Sequence, residues 1–281
     1  MLKARLIVHD KMPGRRNMAV DEALLLLYQP EKHMPIIRFY MWRPSTVSIG
    51  FHQKLEDSVN IEKIRLKGFE LVRRPTGGGA LLHAEDLEIT YSVILPLDFP
   101  CMPNDVVGSA TFITRGIISA LKRLGINASH GTRFSGTRKY ALCYFREAQS
   151  DIKVQGRKIS GSAQRRLHKA LLQHGTLLIG FRPEDWYEVI KVPSGTTLDD
   201  LKKSIVSLKD LGVDVDTDTV LKALIRGFSD ALNVEFVESE LKDEEEEFAT
   251  ELEKRKYGNH EWTFHGCVRK VGFLRDLSKY V

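Results

Sequence analysis

Cysteine is scarce. The 281 residues hold only Cys101, Cys143 and Cys267, an odd count without the spacing of metal ligands. That excludes a disulfide framework and leaves no zinc site or other metal site to read, so each cysteine is expected to be a free thiol. Long apolar runs are missing too: no stretch of about 18 apolar residues could span a bilayer. The N-terminal segment Met1–Glu22 holds an apolar patch too short for a signal peptide, with acidic residues soon after, so a cytoplasmic location and no membrane contact are expected. Neither charge sign forms a block: 42 Lys and Arg are interleaved with 37 Asp and Glu, giving a net charge of +5. This disfavours nucleic acid and argues weakly for an acidic partner. Internal repeats and low-complexity linkers are absent. What remains, 42% apolar and 28% charged residues, is the composition of a soluble globular protein. The length suits one large domain with a smaller appendage.

The patterning gives the elements. "NMAVDEALLLLYQ" predicts a helix with Asp21 and Glu22 in its early turns, where the helix dipole favours acids. "PIIRFYMW" and "TVSIGF" read as two strands, and "GFELVRR" as a third that delivers Arg73 and Arg74 to a glycine run. "EITYSVIL" continues as a strand with Ile89, Tyr91 and Val93 on one face. In "ATFITRGIISALKRLGI" the apolar residues Ile113, Ile117, Leu121 and Leu124 recur at helical spacing up to Gly125. Gln155-Gly156 sits between alternating runs as a hairpin turn would, and "LLQHGTLLIG" is a further strand. "TVLKALIRGFSDAL" is an amphipathic helix. "ELKDEEEEFATELEKRKYG" runs acids first and bases last toward Gly258, with its charges read as a solvated face. The pattern predicts an α+β fold: a mixed, largely antiparallel sheet packed by helices over residues 1–205, with a small, mainly helical C-terminal extension over residues 206–281.

Three segments could carry chemistry. Gly77-Gly78-Gly79 match neither a P-loop nor a dinucleotide fingerprint. They are either a tight irregular turn or a loop that a ligand approaches closely. Arg73, Arg74 and His83 beside them favour a ligand, since an anion or polarised carbonyl is what such groups hold. In "GRKISGSAQRR", Lys158 follows the hairpin turn and either lies on the surface or reaches a site left open by Gly161 and Ser162. Cys143, between apolar residues, reads by itself as a small buried hydrophobe.

Taken together, "RRPTGGGALLH", a cysteine, "GRKISGSAQ" and "QHGTLL" in this order resemble the lipoate and biotin protein ligase and octanoyltransferase superfamily. "NMAVDEALL" and "IRFYMWRPSTVSIGF" resemble that family's opening, and the likeness runs from about residue 15 to residue 262. Cys143 precedes Lys158 by fifteen residues, as the nucleophilic cysteine precedes the motif lysine in LipM-like octanoyltransferases. The resemblance implies the biotin/lipoate A/B protein ligase fold. It also implies transfer of an octanoyl or lipoyl group from acyl carrier protein to a lysine of a lipoyl domain, such as glycine cleavage H protein or dehydrogenase E2. Cys143 would be the nucleophile and Lys158 the cation favouring its thiolate. Gly77, Gly78 and Gly79 would wall the acyl site and offer oxyanion donors, while His83 and His174 would hold the loop and the lysine segment. No cofactor is implied. The alternative within the resemblance is a lipoate ligase that uses ATP and magnesium, with Cys143 a bystander; a non-catalytic lipoyl-domain binder is the other.

Overall fold

The computed structural model describes residues 1–131 and 148–266, so Cys143 and Cys267 lie outside the described residues. The strands are β1 (Leu2–Met12), β2 (Ile36–Trp42), β3 (Thr46–Ile49), β4 (Glu70–Arg73), β5 (Leu81–His83), β6 (Glu88–Pro96), β7 (Ser129–His130), β8 (Ile152–Val154), β9 (Arg157–Arg166), β10 (Ala170–Leu178) and β11 (Val234–Glu238). Eight form one sheet in the order β11-β1-β2-β6-β10-β9-β8-β7, and a second sheet has the order β4-β3-β5. The β1 pairings with β2 and β11 are parallel, and the rest of the large sheet is antiparallel. The sheet is thus mixed and largely antiparallel, as the patterning predicts.

The helices are α1 (Gly14–Leu27), α2 (Leu55–Ser58), α3 (Ile61–Leu66), α4 (Val106–Arg123), α5 (Pro183–Val189), α6 (Leu198–Ser204), α7 (Thr217–Leu232), α8 (Asp243–Leu252) and α9 (His260–His265). Two faces of the large sheet are covered by different helices. Ile89, Tyr91 and Val93 of β6 pack with Phe39, Ile113, Ile117 and Phe228 into the core under α4 and α7. The opposite face holds Tyr40, Trp42, Ile94 and Leu172 with the apolar side of α1 and Phe248 of α8. Successive strand residues point to opposite faces, so one strand serves both cores. Helices α4 and α7 approach closely, since a Cβ on Gly116 would lie 2.7 Å from the Phe228 ring and one on Gly227 2.5 Å from the Gly116 carbonyl oxygen. At the hairpin, Gln155 and Gly156 have φ of 51° and 78°, the two positive values that a tight turn between twisted strands requires.

Two local expectations are corrected. Helix α1 begins at Gly14, so Asp21 and Glu22 fall in its middle and are buried, not at its dipole end. Gly258 has a right-handed backbone, and the chain passes from α8 through a π-helical turn, Glu253–Tyr257, before reaching it. Most of the acidic run of α8 is solvated as expected, but Glu245 is buried and paired with Arg5 of β1 at 2.6 Å. Strand β11, beyond residue 205, joins the edge of the large sheet beside β1. Among the described residues no helix is long and apolar enough to cross a membrane.

Candidate functional site

The glycine run is a loop between β4 and β5, the strands that flank β3 in the small sheet. Arg74 holds it from within: its guanidinium donates to the carbonyl oxygens of Gly77 (3.0 Å) and Gly79 (2.8 Å) and to the Ser48 hydroxyl (2.7 Å). In a trans peptide the N–H points opposite to the carbonyl, so the Gly78 and Ala80 N–H groups face away from Arg74. Gly78 has φ of +95°, a conformation that favours glycine, while the missing Cβ of Gly77 opens onto empty space. A Cβ on Gly50 would sit 2.1 Å from the Gly78 carbonyl oxygen, so the loop passes hard against the end of β3. Arg73 is buried and turns elsewhere, donating to the carbonyls of Gly50, Phe51 and Gln53 and to those of Trp262, Thr263 and Phe264. It fastens α9 to the base of the loop.

Between the loop and the large sheet lies a cavity. Arg74, Leu81 and His83 form one wall, Met18, Tyr40 and Trp42 another, and Thr90 with residues 161–163 and 174–176 forms the floor. The polar side chains of this wall are turned on one another. Tyr40 donates to Asp21 (2.8 Å), Trp42 to Thr90 (2.8 Å) and Thr90 to Glu88 (3.0 Å). His83 bonds Glu88 through Nδ1 at 2.7 Å and Ser48 through Nε2 at 2.8 Å, and stacks on Trp42 with ring centroids 3.8 Å apart. Such a lining offers an entering ligand an apolar surface, which suits a hydrocarbon chain better than a polar one.

Lys158 is buried at the β9 end of this cavity and pairs with Asp151 at 2.9 Å. A Cβ on Gly161 would lie 2.8 Å from its Cε and 3.1 Å from its Nζ, so only glycine lets the ammonium lie against the cavity floor. Ser162 pairs with Gly175, where a Cβ would meet the Tyr91 hydroxyl at 2.8 Å, so its side chain belongs to the α4 face and its backbone to the cavity. Asp151 carried no signal in the sequence, yet it organises this end. Its carboxylate accepts from the Ala148 N–H (2.8 Å), its N–H donates to the Ala148 carbonyl (3.0 Å), and its carbonyl accepts from Gly131 (2.7 Å). Gly131 and Ala148 bound the segment 132–147 that contains Cys143, so that segment leaves and rejoins the described chain beside the carboxylate partner of Lys158.

Asp21 and Glu22 brace the site from behind. Asp21 pairs with Arg38 at 2.6 Å and with His174 Nδ1 at 2.9 Å, and His174 Nε2 meets the Thr76 hydroxyl at 2.7 Å. A chain of contacts therefore runs from β2 through α1 and β10 to the glycine loop. Burial opposes ionisation of Asp21, but Arg38 and the His174 hydrogen bond overcome it and hold the carboxyl below its usual range. Burial outweighs Asp21 at His174 and lowers its pKa, so the imidazole is neutral. Glu22 receives Lys256 at 2.6 Å, Arg165 at 2.7 Å and the Tyr257 hydroxyl at 2.8 Å. Cys101 is an exposed free thiol that does not line the cavity.

The chain as a whole is similar to known proteins. Residues 13–229 match the family described as the lipoyl protein ligase A/B catalytic domain. The octanoyltransferase LipM of Clostridioides difficile is 35% identical over 265 residues, covering 91% of this chain and 97% of that protein. A crystal structure of lipoate-protein ligase A bound with ATP is 30% identical, with a TM-score of 0.81, covering 94% of this chain and 99% of that one. The bi-partite lipoate protein ligase of Thermoplasma acidophilum, described with its E2 lipoyl domain, is 27% identical with a TM-score of 0.80, covering 96% of this chain and 100% of that one.

Proposed function

Belonging as it does to the lipoyl protein ligase A/B catalytic-domain family, this chain is, we propose, a cytoplasmic protein octanoyltransferase of lipoate biosynthesis. It would move an octanoyl group from the thioester of acyl carrier protein to one lysine of a lipoyl domain, through Cys143. The relatives named octanoyltransferase support the reaction. The lipoyl domain described with the Thermoplasma ligase supports the acceptor. The observation that carries the reading is the apolar cavity that ends at Gly161 and the buried Lys158–Asp151 pair, next to the two ends of the segment bearing Cys143.

The Cys143 thiolate attacks the carbonyl carbon of the bound thioester. A new C–S bond forms, the bond to the pantetheine sulfur breaks, and the departing thiolate takes up a proton. One thioester replaces another at little free-energy cost, so ATP is not needed. The deprotonated ε-amine of the acceptor lysine then attacks the acyl-enzyme, forming the amide C–N bond and returning the Cys143 thiolate, with the amine proton released. A free cysteine has a pKa near ~8.5 and is only a few per cent thiolate at neutral pH, and in this reading a cation such as Lys158 beside it would raise the reactive fraction. Backbone N–H groups of the glycine loop are the donors that this reading assigns to the tetrahedral oxyanion; losing one such donor costs on the order of 10²-fold in rate.

The test is incubation with octanoyl-loaded carrier protein and an apo lipoyl domain without nucleotide, followed by mass spectrometry of both proteins. An octanoyl adduct on a Cys143 peptide, with transfer lost in Cys143→Ala, is expected. Modification that requires ATP, magnesium and free acid, and that survives in Cys143→Ala, would overturn the reading in favour of a ligase.

A further inference from the structure

Strand β9 leaves its outer partner early. Strand β8 pairs with it over residues 157–160, and from Gly161 to Arg166 no strand of the described residues lies along its outer edge. Such an edge turns backbone N–H and C=O groups toward whatever lies beside it. A groove of about 460 Å³ runs there. Residues 162–164 form its floor, Val106, Val107 and Ala110 of α4 one side, and residues 148–150 the other. Ser162 and Ala163 line both this groove and the apolar cavity, so the two spaces meet at these residues. We propose that the groove holds the pantetheine arm of the octanoyl carrier protein, with the thioester at the Gly161 end and the phosphate at Arg166. The inference deepens the acyl-transfer reading and rests on it.

The chemistry of the groove matches that of the arm, which carries two amides, a hydroxyl and a pair of geminal methyl groups. Amides can bond along an exposed strand edge as an added strand does, and Gln149, Ser150 and Gln164 offer side-chain partners. Gln164 is held in place by Gln173 at 3.0 Å and Ser109 at 3.2 Å. Val106 and Val107, 55% and 51% exposed, give the methyl groups an apolar lip. Length fits as well. Arg166 lies five residues beyond Gly161, about 17 Å along a strand. An extended arm measures about 16 Å from sulfur to phosphorus, with bonds near 1.5 Å. At the near end the groove wall is tied to the Lys158 pair, since the Ala148 N–H donates to Asp151. At the far end Arg166, on the same side of β9 as Ser162 and Gln164, donates to the Asn104 carbonyl (2.8 Å) and the Ser109 hydroxyl (3.0 Å). These bonds fix its guanidinium at the start of α4, where the Asp105 carboxylate is engaged by the Gly108 N–H at 2.7 Å. A guanidinium held in this way suits a phosphate.

The experiment compares octanoyl thioesters of N-acetylcysteamine, pantetheine, 4′-phosphopantetheine and the carrier protein as donors, by kcat/KM of acyl-enzyme formation. N-acetylcysteamine keeps only the first amide of the arm. Pantetheine is expected to exceed it by at least about tenfold, as remote contacts are lost on truncation. Val107→Glu, a surface change expected to leave the melting temperature intact, should remove most of that gain while slowing the N-acetylcysteamine donor far less. Arg166→Ala should abolish a severalfold gain from the phosphate and affect the pantetheine donor far less. Equal kcat/KM for the two phosphate-free donors, or a Val107→Glu protein with the wild-type preference, would overturn the groove. So would a Val107→Glu protein that forms acyl-enzyme normally but passes its acyl group slowly to the lipoyl domain, which would give the groove to the acceptor. Calorimetry with the holo carrier protein, without turnover, keeps the two readings apart. A wild-type protein that acts only on free acids with ATP would sink the transferase reading. The groove would fall with it if the holo carrier failed to bind, and would stand if binding were seen and were weakened by Val107→Glu and Arg166→Ala.

Discussion

Lys158 shows how a residue's surroundings change the chemistry that its type suggests. Its charge is shared with Asp151 at 2.9 Å, in a place where both side chains are buried. If Lys158 favours the Cys143 thiolate, its loss and the loss of its partner should act in opposite directions. Lys158→Ala should raise the pH at which Cys143 reacts with iodoacetamide, and Asp151→Asn should lower it, each by roughly one unit, the usual effect of a nearby charge. Coincident alkylation curves in all three proteins would leave Lys158 only a role in positioning the acyl group. Gly161→Ala is a milder probe of the same contact. Its Cβ would press on the flexible end of Lys158 at 2.8 Å, so transfer should slow severalfold while the melting temperature changes little. Cys101→Ser should leave transfer unchanged, as the exposed thiol is not among the residues that line the cavity.

Among the elements, α1 does the most to hold the site together, through two adjacent buried acids. Asp21 reaches β2 and β10, while Glu22 reaches Arg165 of β9 and Lys256 and Tyr257 of the π-helical turn. Glu22→Gln would leave two cations facing a neutral amide inside the protein. Breaking a buried pair by removing one partner costs about 3–5 kcal/mol. Urea unfolding of Glu22→Gln should therefore show a loss of that order, whereas Glu244→Gln, on the exposed side of α8, should show almost none. The glycine loop depends on its neighbours in the same way, being held by Arg74 from one side and by the Thr76–His174 contact from the other.

Over the whole molecule, the buried titratable groups give stability a definite pH dependence. Burial and the nearby Arg38 lower His9 to about 4, and burial lowers His174. In the unfolded chain a histidine takes up its proton near ~6.5. The folded state resists that protonation, so stability is complete above about pH 6.5 and declines as pH falls toward the folded values. The lowered carboxyls of Asp21 and Glu22 add a second loss below their unfolded range near ~4. Urea midpoints should be flat above pH 7, fall from about 6.5 and fall more steeply below 4. His9→Gln should remove part of the upper decline and leave the lower one. A midpoint independent of pH between 7 and 5 would contradict this assignment.

Elements with local signals could be read along the chain. Helices α4 and α7 were legible because burial repeats every three to four residues along them, the hairpin because Gln155-Gly156 accepts positive φ, and the glycine loop because no strand tolerates three glycines in a row. Motif order and spacing also carried the family. Roles that depend on distant partners emerge only from the fold. Asp21 and Glu22 look like ordinary early-helix acids until β2, β9, β10 and the π-helical turn close around them. Arg73 and Arg74 look alike in sequence, yet one fastens α9 and the other the loop, because strand alternation sends their side chains to opposite sides. Asp151 acquires its role only when Gly131, Ala148 and Lys158 meet there. The row of paired residues Gly161, Thr176, Thr90 and Tyr40 across β9, β10, β6 and β2 exists only through pairing register, which brings together residues up to 136 positions apart and which no local pattern encodes.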